Sequence, residues 1–158
     1  MLRLTLFMAL LSMLVISCGQ GGSSQTASDS KVSPQVAVED SLTAVVMEIH
    51  DVAMPRMGEI NRLQRQLRQW LQNNPQAPDS TKTQVLEVLD WLGRADEGMM
   101  SWMAAFRQPA NLRDSLSHEA IVAYLLDEQK RVQQVHDDIA GSIEAATKLL
   151  QTLNQASK

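Results

Sequence analysis

Five prolines, Pro34, Pro55, Pro75, Pro78 and Pro109, divide this chain of 158 residues more decisively than any other feature. Proline has no N–H and clashes with the carbonyl four residues back, so it marks where helices start, bend or stop. Between these marks, apolar residues recur every three or four positions, the signature of a helix with one buried stripe. From Pro34 the stripe is Leu42, Val46, Ile49 and Ala53, and beyond Pro55 it resumes as Met57, Ile60, Leu63, Leu67, Trp70 and Leu71. Asn73-Asn74-Pro75 ends it. The second stripe opens at Pro78-Asp79-Ser80-Thr81, with Asp79 or Ser80 as the expected cap. It runs through Val85, Leu89, Leu92, Met99, Met103 and Phe106, with Val88, Trp91, Ala95 and Trp102 on its flanks. Asp96 is a charge where that stripe expects an apolar residue. Pro109 stops the helix, and residues 108–114 read as a loop. Ser115 or Ser117 caps the third stripe, Ile121, Leu125, Val132, Val135, Ile139, Ile143, Ala146, Leu149 or Leu150, and Leu153, which Glu128 interrupts once.

No alternating Val/Ile/Thr run and no Asn-Gly turn signals a strand, and no internal repeat stands out. The expected fold is all-α: an up-down-up three-helix bundle of long helices over residues 34–158, with the first helix kinked at Pro55. The outer helices, about 38 residues each, reach roughly 57 Å, and the middle one, about 27 residues, roughly 40 Å. Leu149, Leu150 and Leu153 then lie on an overhang, either folded over the first loop or offered to a partner.

Residues 1–17 read as a signal segment. Arg3 supplies its positive start, and Leu4 to Ile16 is an apolar run too short to span a bilayer stably. It ends in Val15-Ile16-Ser17-Cys18, which resembles the lipobox of bacterial lipoproteins. That resemblance implies lipidation of Cys18, the one cysteine in the chain, which also rules out a disulfide framework within it. Two or more acyl chains anchor a protein stably. In the resembled class, Gly19 rather than Asp after the cysteine favours the outer membrane, facing the periplasm. Residues 18–33, rich in Gly and Ser, read as the lipidated cysteine followed by a flexible tether.

The formal charge of -4 argues against a nucleic-acid partner, which needs a basic face. No P-loop, dinucleotide loop, nucleophile elbow or HExxH motif is present, so an enzyme is not expected.

One spot is unusual. His50-Asp51-Val52-Ala53-Met54-Pro55-Arg56-Met57-Gly58 places a proline and a glycine inside a strong helical pattern. About forty residues on lies Gly98-Met99-Met100-Ser101-Trp102-Met103. Antiparallel helices joined near residue 76 set Met54 against Met99, His50 against Met103 and Met47 against Phe106. A second turn near residue 111 puts Tyr124 level with Met99 and His118 near the level of His50. Apart from Met1, Met8 and Met13, every methionine of the chain lies in these two clusters or, for Met47, one turn before the first: Met47, Met54, Met57, Met99, Met100 and Met103.

The first reading of the clusters is structural. Methionine fills irregular gaps, and a kink at Pro55 makes one, with Pro55, Gly58, Met100, Trp102 and Phe106 packed about it. The alternative is a soft-metal site, copper in particular, built from His50, Met54, Met57, Met99 and Met103, since thioether and imidazole suit Cu(I). Haem lacks a Cys-x-x-Cys-His attachment. Arg56 and Asp96 are expected to pair across the interface, and His136 to be a solvated residue.

A lipobox, His50-Asp51-x-x-Met54-Pro55-x-Met57-Gly58 and Met99-Met100-x-Trp102-Met103-x-x-Phe106 together resemble a family of uncharacterised small Bacteroidota lipoproteins. Automated labels there often read "viral A-type inclusion protein", a coiled-coil similarity artefact. The resemblance covers about residues 40–152 and implies location, architecture and the pairing of the two clusters, not an activity. Asp96 and His118 fall outside its pattern. The expectation is a non-enzymatic, membrane-anchored lipoprotein that binds an unknown protein partner or supports the envelope, without a cofactor, the alternative being a copper-binding bundle.

Overall fold

The computed structural model describes residues 33–156. The signal segment, Cys18 and the tether up to residue 32 lie outside the described residues. Helix α1 spans Pro34–Ala53, a 3-10 turn Met54–Arg56, α2 Met57–Asn73, α3 Asp79–Ala105 and α4 His118–Ala156, with a second 3-10 turn at Pro109–Asn111. Three long helical rods result, the first made of α1, the turn and α2. Among the described residues there is no strand, and no helix is long and apolar enough to cross a membrane.

The prolines act as the sequence predicts. Pro34 takes the first position of α1, where its missing N–H costs nothing, and the Ser33 hydroxyl accepts the Val36 N–H at 3.2 Å. Pro55 removes the donor that would reach the Asp51 carbonyl, and the chain tightens into the 3-10 turn, with the Met57 N–H on the Met54 carbonyl. The second cap differs from expectation. Pro78 holds the capping position of α3 and accepts from Thr81 and Lys82 through its carbonyl, while Asp79 is already helical. An acid in the first helical turn still favours the positive end of the helix dipole. Ser117 caps α4, its hydroxyl accepting the Ala120 N–H at 3.3 Å. Asn74 closes α2 with both its backbone and side-chain N–H on the Trp70 carbonyl.

One apolar core joins the three rods. Val46, Ala53, Ile60, Leu63 and Leu67 from the first meet Val85, Leu92, Ala95, Met99 and Trp102 from α3, and Val132, Ile139, Ile143 and Ala146 from α4. On α3 the buried line runs through Ala95 and Trp102, which the sequence put on the flanks, and Asp96 falls on its half-buried shoulder. Gly141 permits a close approach. A Cβ there would lie 2.9 Å from Cζ2 of Trp91, so the indole lies against the α4 backbone. The expected overhang is covered: Leu153 is buried, and Leu149 and Leu150 pack against the core.

The second connection corrects the expected register. Tyr124 stacks on Phe106, ring centroids 6.3 Å apart, and not level with Met99. His118 meets Glu39 at 2.9 Å, about three turns of α1 away from His50. The cause is the connector 106–117. It does not turn in place but runs on past the end of α3, with Pro109 buried, so α4 begins nearly two turns beyond that end.

Candidate functional site

The two unusual strings do meet. His50, on α1, brings Nε2 to 3.3 Å from the Met103 sulfur on α3, the pairing expected from the short first turn. Nδ1 of the same ring lies 2.8 Å from the Asp51 carboxylate. The ring also leans on Trp102, centroids 5.6 Å apart and planes tilted by 35°. Trp102 stacks on Phe106 at 5.2 Å, and Phe106 on Tyr124. A row of four rings therefore crosses from α1 over α3 to α4. The Tyr124 hydroxyl accepts the Arg107 N–H at 2.7 Å, and burial pushes its phenol pKa up.

Beneath that row is a carboxylate read in the sequence only as a break in a stripe. Glu128 is 1% exposed. One oxygen accepts the Trp102 indole N–H at 2.9 Å and the other pairs with Arg131 at 2.7 Å. A buried carboxylate must be paired to be tolerated, and this pairing fixes the indole plane. Beside it, Gly98, Ser101, Trp102, Arg131, Gln134 and Val135 line an open recess of about 310 Å³.

The other expected site residues divide. Met57 and Met99 are core residues, and Met47, Met54 and Met103 are half-buried against the core. Met100 points to solvent, 56% exposed, because the stripe turns through Met99 and Trp102 instead. Gly58 faces open space, with no atom within 4 Å of where a Cβ would stand. Pro55 is exposed and sits in the 3-10 turn. Arg56 and Asp96 form no ion pair, since Asp96 lies on the shoulder of α3 rather than in its stripe. His136 pairs with Asp137 at 3.0 Å on the surface. Among the described residues, no three His, Cys, Asp or Glu side chains converge as a hard-metal site would require.

A second polar cluster escaped the sequence altogether. Glu39, in α1, is 3% exposed. Arg113 reaches one of its oxygens at 2.7 Å and His118 the other at 2.9 Å, and Arg113 also approaches Asp40 at 3.4 Å. The His118 and Arg113 hydrogen bonds, in that order, hold the Glu39 pKa below the ordinary carboxylate range against the opposing pull of burial. The cluster ties the connector to α1. An acid in the second turn of a helix reads in sequence as solvated, and only the distant partners mark it as buried.

One face of the first rod is left open. Val38, Val45 and Val52, seven residues apart, are 46%, 36% and 57% exposed. Each directly precedes a buried residue, Glu39, Val46 or Ala53. Ile49 and Val52 line a groove with Gln133 and His136 of α4, about 200 Å³ in volume, and the exposed Leu126 continues the apolar line on α4. Compared with known proteins, the chain matches no family model, no curated protein and no solved structure.

Proposed function

We propose that this protein is a lipid-anchored, non-enzymatic docking bundle of the cell envelope, held at the outer membrane through Cys18 and facing the periplasm. Its three long helices run up, down and up, and the groove between α1 and α4 receives a helix of a protein partner. The observation that carries the reading is the line Val38, Val45 and Val52, solvent-exposed at heptad spacing beside Leu126. Apolar residues repeating every seven positions are what a partner helix packs against. None of the three belongs to the buried core or packs against it.

The rim of the groove sets the chemistry of the occupant. Glu48 lines the groove, and Glu119 and Asp137 are exposed along α4. The fitting partner is an amphipathic helix with Leu or Ile in its stripe and Lys or Arg beside it.

A photo-crosslinker at position 45 in intact cells tests this. One discrete adduct is expected, lost when Val52→Asp is added and weakened at high salt, while a crosslinker at exposed position 100 gives none. No adduct from position 45, or the same products from both positions, overturns the reading.

A further inference from the structure

We infer that His50 and Met103 form a two-donor site for a soft monovalent cation of the Cu(I)/Ag(I) class. The inference begins with which atoms carry protons. Nδ1 of His50 lies 2.8 Å from the Asp51 carboxylate, so its proton belongs on that nitrogen. Nε2 then presents a lone pair. It points at the Met103 sulfur 3.3 Å away, and a thioether has no hydrogen to give. Two acceptors therefore face each other across two helices. A cation held by both sits to the side of the N···S line, because 3.3 Å is shorter than two metal bonds of about 2.0 Å and about 2.3 Å laid end to end.

The donors choose the cation. Imidazole nitrogen and thioether sulfur together suit Cu(I), whereas a harder ion needs the carboxylates that do not converge here. The Asp51 contact on Nδ1 is the outer hydrogen bond that orients a ligating histidine. Met47 and Met54 stand one turn before and one turn after His50 on the same face of the helix, both half-buried against the core. Three rotatable bonds let either thioether swing in as a third donor. Trp102 covers one side of the imidazole, and His50 keeps 15% of its side-chain surface open to solvent, enough for an ion to enter.

The site lies on the α3 flank of α1, away from the α1/α4 groove, so it stands or falls independently of the docking reading. The test is a titration of the full chain, purified in detergent, with Cu(I) against a chromogenic competitor chelator under reducing conditions. It is repeated with Ag(I), which needs no reductant. One equivalent of metal withdrawn from the chelator is expected. Met103→Leu, which keeps the side-chain volume, and His50→Gln should each weaken binding at least tenfold, and Met100→Leu should leave it unchanged. A wild-type chain that withdraws no metal overturns the proposal whatever the variants do. So does equal binding by Met103→Leu and His50→Gln with both folded by circular dichroism. If either variant unfolds, methionine methyl resonances of the wild type decide: Ag(I) must shift Met103 and leave Met100 in place.

Discussion

The Trp102 indole N–H and the Glu128 carboxylate meet at 2.9 Å between α3 and α4, both side chains buried. The bond joins the ring row that starts at His50 to the one carboxylate in the middle of the α4 stripe. It sets the angle at which Trp102 faces His50, and so the side of the His50–Met103 contact.

Removing that acceptor orphans a buried donor and leaves Arg131 without its partner. Glu128→Ala is expected to lower stability by about 2–3 kcal/mol, and Glu128→Gln, which can still accept from the indole, by about 1 kcal/mol. Urea unfolding followed by far-UV circular dichroism measures both. A Glu128→Ala loss under about 0.5 kcal/mol contradicts the account.

Two glycines in helices should respond with opposite signs. Gly58→Ala gains roughly 0.5–1 kcal/mol of helix propensity and meets nothing. Gly141→Ala gains the same propensity but drives a methyl to 2.9 Å from Trp91, and overpacking of that kind costs about 1–3 kcal/mol. Thermal melts should rise for the first and fall for the second.

Glu39 makes stability depend on acid. Its folded-state pKa is depressed, so the folded chain binds fewer protons there than the unfolded chain. The stabilisation is complete above the unfolded value near 4.5 and is lost as pH falls through the lower folded value. The wild type should lose stability faster than Glu39→Gln as pH falls below 4.5. Parallel acid limbs in denaturant titrations count against this.

Cys18→Ser should release the chain from the membrane fraction and abolish incorporation of labelled palmitate. Retention in membranes with no loss of label removes the anchor from the proposed function.

The helices were legible because each carries a 3.6-residue stripe and proline stops the first two rods, and the His50–Met103 pairing because the first connection, Asn74 to Pro78, is short. The register of α4 was not, since nothing in residues 106–117 announces that they run on rather than turn. Met103 and Trp102 exchanged importance for a similar reason: adjacent residues at the edge of a stripe are separated by where the third rod sits. Glu39 looks like a surface acid until Arg113 and His118 arrive from a distant segment, and Glu128 reads only as a break in a stripe until Trp102 arrives from α3.

The 3-10 turn at Met54–Arg56 works as a gear correction. Glu39, Val46, Ala53, Ile60 and Leu67 fall at intervals of seven, and all are buried. On a straight α-helix each such interval slips backward by roughly 20°, so the last member would lag the first by about 80° and face away from the core. Three residues wound at about 120° each instead of about 100° advance the rod by about 60°, returning most of that lag at one place. A seven-residue buried rail thus runs the length of a rod with little need to coil around its neighbours, while the valines one step behind it, Val38, Val45 and Val52, all lie in α1 ahead of the turn. Deleting a single residue beside Pro55 would rotate the part of the buried rail beyond the turn by about 100° against the part before it, taking the two halves of the core out of phase.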